Sequence, residues 1–98
     1  MAGRRAARTD GNQTKIVNAL RECGVSVAHT HTVGDGFPDI IAGWHGQNFM
    51  FEIKDPSKPP SKRSLTEKER KFRDEWRGTV FTIETPEEAL QTIGCVKR

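Results

Sequence analysis

The chain has 98 residues, of which 34% are hydrophobic and 30% charged, with 16 Lys and Arg against 13 Asp and Glu. A chain this size buries roughly 65% of its unfolded surface, enough for one modest core, so two domains are excluded and a single one is expected over residues 10–98. No apolar run approaches the roughly 20 residues that cross a bilayer, and two cysteines, Cys23 and Cys95, are too few for a disulfide framework or a four-cysteine zinc site. A reducing cytoplasm, away from membranes, is the expected setting.

Charge is unevenly spread. Residues 1–9 carry +3, residues 10–53 carry −3, residues 54–77 carry +4 and residues 78–98 carry −1. Basic segments on both sides of an acidic one suit a polyanion gripped at its flanks while carboxylates work between. A solvated basic surface without a partner has the same composition, so charge orients the reading without settling it.

Residues 1–9, with Arg4, Arg5 and Arg8, read as a flexible basic arm. Asp10 to Glu22 then reads as a helix: Ile16, Val17 and Leu20 recur at helical spacing, Asp10 or Asn12 can cap it and Gly24 can stop it. Val25 to Thr32 alternates like a half-exposed strand. Asp39 to Trp44 and Phe49 to Lys54 are β-rich runs, with His45, Gly46, Gln47 and Asn48 as the hairpin loop between them. The prolines and basic residues of Asp55 to Arg63 make a surface loop. A helix follows, opened by a capping box of Ser64 with Glu67 or Thr66 with Glu69 and closed before Gly78. Thr79 to Ile83 is a short strand, and Thr85, Pro86, Glu87 and Glu88 start a last helix that runs to Gly94. The expected class is α/β, of order αβββαβα, with helices on a mixed four-stranded sheet. Its first three strands form an antiparallel meander, and the helix between the third and fourth makes those two parallel.

The chemistry concentrates in the hairpin. A strand pleat sends Phe49, Phe51 and Ile53 to one face and Met50, Glu52 and Lys54 to the other. An antiparallel return brings Asp39, which follows Pro38, beside Glu52. Two carboxylates about 4 Å apart repel by roughly 4 kcal/mol at an effective dielectric near 20, an arrangement that a divalent cation relieves. Hard oxygen donors of this kind suit Mg2+ or Mn2+, and Lys54 alongside can orient a water or stabilise charge developing on phosphorus. An isolated Glu-x-Lys is common and is most simply a surface ion pair. Here Pro-Asp upstream, a hairpin between and a basic helix after give it a context, and the chemistry implied is phosphodiester hydrolysis.

Gly36-Phe37-Pro38-Asp39-Ile40-Ile41, Phe51-Glu52-Ile53-Lys54 and Ser64-Leu65-Thr66 at a helix start resemble the PD-(D/E)XK nuclease superfamily, and within it the small stand-alone VRR-NUC domains, which are Holliday junction resolvase-like. The resemblance spans about residues 10–94. It implies a restriction-endonuclease-like core and a metal-dependent endonuclease acting on four-way junctions, flaps or other branched DNA. Asp39 and Glu52 would be metal ligands, joined by the backbone carbonyl of Ile53, and Lys54 would act on the attacking water. It also implies a homodimer, with Phe37, Trp44, Phe49 or Trp76 in the interface unless they belong to the core.

Two positions depart from the family pattern. The first-helix glutamate falls on Gln13, and the glutamine of the helix after the motif falls on Glu69. The exchange suggests that Glu69 replaces the missing carboxylate near the metal with Gln13 in support; a capping role alone is the plainer account of Glu69. His29 and His31 share a strand face and, with His45, form a second conceivable metal set, although a histidine pair without metal is commoner. Lys58, Lys62, Arg63, Lys68, Arg70, Lys71, Arg73 and Arg77 are phosphate-contact candidates on a segment that also holds acids, and the chain has no aromatic interleaving of the kind that binds single strands. Two rivals share these residues: a nuclease of restriction or phage type cutting linear duplex, and a noncatalytic DNA-binding module with a degenerate site.

Overall fold

In the computed structural model, which describes residues 11–95, the chain is a small α/β domain of four strands and three helices. Helix α1 is Gly11–Glu22, and strands β1, β2 and β3 are Ser26–His29, Ile40–Trp44 and Gln47–Ile53. A 3-10 turn at Pro60–Lys62 precedes helix α2, Glu67–Glu75, then strand β4, Val80–Ile83, and helix α3, Pro86–Ile93. The basic arm of Arg4, Arg5 and Arg8, and the candidate cap Asp10, lie outside the described residues. Among the described residues, no helix is long and apolar enough to cross a membrane.

The sheet runs β1-β2-β3-β4, antiparallel between the first three strands and parallel between β3 and β4. Register and pleat sort its side chains. Ile40, Ala42, Phe51, Ile53 and Ile83 face α1 and α3, closing a core with Ile16, Val17, Leu20, Ala89 and Ile93. Phe49 belongs to this side too, against Phe51 and Phe81. Ser26, Ala28, Ile41, Gly43, Asn48, Met50, Glu52 and Thr82 point the other way. On that second face, α2 reaches only the end of the sheet that carries Glu52, where Arg73 donates to Thr82 at 2.7 Å.

Several boundaries differ from the sequence reading. Gln47 and Asn48 are paired strand residues, and the hairpin turn is only His45 and Gly46, whose φ values of 49° and 77° are both left-handed, the type I′ pattern. His-Gly lacks the Asn-Gly or Asp-Gly signature of that turn, so four residues read as loop. Strand β1 stops at His29 because the chain turns: Val33 N–H returns to the Thr30 carbonyl, while Thr30 bonds across to the Pro38 and Asp39 carbonyls. Of the two capping boxes, Thr66 with Glu69 forms, so α2 begins at Glu67, and Ser64 donates to the Ser61 carbonyl instead. Helix α2 ends at Glu75 with Trp76 as its cap, short of Gly78.

One glycine fixes where α2 sits. Gly36 has φ 81°, and a Cβ there would run into the main-chain carbonyl of Lys68 and the Glu69 nitrogen. The loop before Asp39 therefore lies flat on the first turn of α2. Gly36→Ala combines a left-handed φ with that clash, costs about 1–3 kcal/mol, and pushes Glu69 away from Lys54. Lower thermal stability together with weakened cleavage is the expected result; a variant matching wild type in both would mean that α2 need not be held there.

Candidate functional site

The site forms at the carboxyl ends of β3 and β4, the parallel pair of the sheet. Asp39 sits one residue before β2. Its N–H donates to the Phe51 carbonyl at 2.9 Å, and its Oδ2 accepts the Ile53 N–H at 2.7 Å. The carboxylate thus takes a main-chain acceptor's place in the ladder. Pro38, fully buried, has no N–H and holds the approach extended. The N–H and C=O of a strand residue share one edge, so the Ile53 carbonyl lies on the Asp39 side of β3.

Glu52 projects from the face opposite the core and is only 3% exposed. Its Oε2 lies 3.6 Å from Lys54 Nζ, which donates to Glu69 Oε1 at 2.8 Å. The same Glu69 oxygen accepts the Thr66 N–H at 2.9 Å, so the capping box and the site share one side chain. The two readings of Glu69 are compatible: capping holds the carboxylate where Lys54 meets it. The Glu52 carboxyl also lies close enough to those of Asp39 and Glu69 for a proton to be shared among them.

One ammonium among three carboxylates leaves excess negative charge, and the protonation pattern records it. Burial, the hydrogen bond to Glu69 and the charges of Asp39 and Glu69 push Glu52 up to about 9, so it holds a proton at neutral pH. Burial also raises Asp39, against the opposing pull of the Ile53 N–H and Glu52. Burial would raise Glu69, yet hydrogen bonds from Glu52, Lys54 and Thr66 bring it down to about 2. Lys54 is raised: its burial is outweighed by Glu69, then Glu52 and Asp39. Lys54 is therefore a firm ammonium, and the surplus proton rests on Glu52.

Among the described residues, no group of three or more His, Cys, Asp and Glu side chains is placed to hold a metal ion. The donors that do meet, Asp39 and Glu52 with the Ile53 carbonyl on the same edge, suit a small hard cation that keeps much of its own water. A divalent charge would replace the proton of Glu52 and balance the cluster. The residues fit Mg2+ or Mn2+ on that ground.

The other candidates are placed as follows. Gln13 is buried in α1 with its Nε2 3.2 Å from His29 Nδ1. His29 and His31 meet edge to face at 5.8 Å, while His45 stacks on Trp44 at the hairpin turn, the far end of β2 from Asp39, so the three histidines do not converge. Burial, then Arg21 and His31, lower the His29 pKa. Lys58 and Lys62 are exposed, Arg63 pairs with Glu84 at 3.7 Å, Lys68 with Asp35 at 4.0 Å and Lys71 with Glu75 at 2.6 Å. The basic face of α2 is thus partly balanced by acids.

Sequence reasoning missed Asn12 as a positioning residue. Its amide donates to the Lys54 carbonyl at 2.7 Å and the Glu84 carbonyl at 3.1 Å, pinning α1 across the ends of β3 and β4. A polar residue at a helix start reads as a cap, and only the fold brings the two carbonyls to it. Comparison of the chain with protein-family models, with curated proteins and with solved structures finds no match.

Proposed function

We propose that the protein is a divalent-metal-dependent endonuclease that hydrolyses DNA phosphodiester bonds. The observation that carries this reading is the meeting of the Asp39 and Glu52 carboxyls at the carboxyl end of the parallel pair β3 and β4, with Lys54 Nζ 3.6 Å from Glu52. Asp39, Glu52 and the Ile53 carbonyl would hold Mg2+ or Mn2+. Bound there, the ion would lower the pKa of the attacking water and neutralise charge on the phosphate. Lys54, kept charged by Glu69, orients that water or stabilises the negative charge that grows on the phosphoryl oxygens. Glu69 adds the third carboxylate that α1, with Gln13, does not offer, and its capping bond to Thr66 holds it in place. Lys58, Lys62, Lys68 and Lys71 would contact phosphates, their exposed pairs exchanging readily for an anion. Branched DNA is the substrate, and a homodimer sets two such centres on two strands; both proposals rest on the resemblance to VRR-NUC domains.

The test is cleavage of labelled four-way junction, flap and linear duplex with magnesium, manganese or EDTA. Wild type is expected to cut branched DNA in either metal and nothing in EDTA. Lys54→Ala should lower the rate about a hundredfold, and Glu69→Gln less, since an amide oxygen still accepts from Thr66. Equal cutting of all three substrates would point to a nuclease of linear duplex. Binding without cutting in every metal would point to a noncatalytic DNA-binding module, a reading favoured by one observation: Gln13 is neutral, buried and engaged by His29.

A further inference from the structure

Near the carboxylate centre two rings at the end of α2 meet a third from a distant part of the sequence. Phe72 and Trp76, one turn apart on α2, stack with centroids 5.0 Å apart and planes 19° from parallel. Phe37, two residues before Asp39, meets both edge-on, at 5.3 and 6.4 Å. Its backbone is brought there by the contact of Gly36 with α2. Trp76 is 43% exposed although one side of its indole is taken by Phe72. Its edge lies over Gly78, where a Cβ would run into the indole nitrogen, so the glycine leaves the ring room to lie there. An open groove of about 400 Å³ beside Phe72 is lined by Lys68 and Lys71 together with Asp35 and Glu75.

We propose that Phe37, Phe72 and Trp76 form a stacking platform for an unpaired nucleobase of the DNA strand whose phosphate lies at the carboxylate centre. The inference rests on the nuclease reading and names what that site selects. Three observations favour a base over other occupants. The outer face of Trp76 extends an existing parallel stack, the geometry that accepts one more flat ring. Lys68 and Lys71, 76% and 71% exposed, flank the rings with ammonium groups whose surface pairs give way to phosphate. Phe72 lies three residues along α2 from Glu69, about 4–5 Å of helix rise, and Trp76 stacks on it at 5.0 Å, which puts the platform within about three nucleotides of the centre. A second protein copy fits less well. Val33 and Trp76, the exposed large hydrophobics, offer on the order of 200 Å², against about 800 Å² per partner in a stable interface. A paired base keeps its faces inside the duplex and has nothing to give this surface, so the platform discriminates for unpaired DNA.

The test uses the two tryptophans. In Trp44→Phe protein Trp76 is the remaining indole, and with EDTA present no cutting intervenes. Oligothymidylate and a flap should quench its fluorescence, and a blunt duplex should not. Trp76→Ala should weaken oligothymidylate binding about tenfold or more and narrow its gap to duplex, while Trp76→Phe keeps most of the affinity. Equal quenching by duplex, or affinities that Trp76→Ala does not move, would overturn the platform. So would a wild-type dimer that sediments as a monomer once Trp76 is replaced. Should Trp76→Ala not fold, the quenching decides alone. Protein that stacks unpaired bases and cuts nothing removes the nuclease reading and keeps the platform; protein that cuts without quenching does the reverse.

Discussion

Asp39→Asn protein is expected to fold as well as wild type and to lose metal-dependent cleavage by about a hundredfold or more. The asparagine oxygen still accepts the Ile53 N–H that Asp39 Oδ2 holds at 2.7 Å, so the edge of the hairpin stays closed. The substitution also removes one of the negative charges that raise Glu52, which favours the folded state without metal. Asp39→Ala is a poorer probe, because it leaves the Ile53 N–H without its acceptor at a cost of about 1–3 kcal/mol, and lost activity could then reflect lost structure. Thermal melting beside a cleavage assay separates the two. Asn protein that cuts at the wild-type rate would remove Asp39 from the centre.

The second large effect is on stability against pH. An unfolded glutamate ionises near 4.5, whereas folded Glu52 keeps its proton to about 9. Between those values the unfolded chain has released a proton that the folded one retains. Stability contributed by protonated Glu52 is full below 4.5 and is lost as pH rises through 9. From pH 7 to pH 9 one proton amounts to about 2–3 kcal/mol, or a fall of about 10 °C or more in melting temperature for a domain this size. Asp39, also raised by burial, titrates with Glu52 and loses its share of stability in the same direction, whereas Glu69, lowered to about 2, acts on the acid side of 4.5, and Lys54 acts above 10.5. Nor does His29 interfere, since its lowered pKa matters below 6.5. Glu52→Gln should flatten the profile, stabilise the metal-free protein at pH 9 and abolish cleavage. Magnesium should raise the alkaline melting temperature of wild type and not that of the glutamine variant. A wild-type melting temperature that is flat between pH 7 and 9 would mean that no proton is held there.

What the sequence made legible was local. Alternation of period two over Phe49 to Lys54 placed Glu52 and Lys54 on one face, and Pro38 marked Asp39 as the opening of the partner strand. The carboxylates then met because a hairpin has one register that buries Phe51 opposite Ile40. What stayed hidden depends on contacts across long stretches of chain. Asn12 reaches the Lys54 and Glu84 carbonyls, Gly36 reaches Lys68, and Phe37 reaches Phe72 and Trp76. Each of these residues has an ordinary local reading as cap, turn or core. The capping-box pattern gave Glu69 its place on α2, and only the fold turned it toward Lys54.

The tight turn at His45 and Gly46 has a kinetic consequence. It makes β2 and β3 the sheet's most local pairing, and the two acids stand at the open end of that ladder, furthest from the turn. Zipping that starts at the turn meets their repulsion in the last rungs. A contact made only after the folding barrier affects opening and not closure, so acids that meet last predict that added alkali speeds unfolding and leaves the folding rate alone, as stopped-flow kinetics at pH 7 and 9 would show.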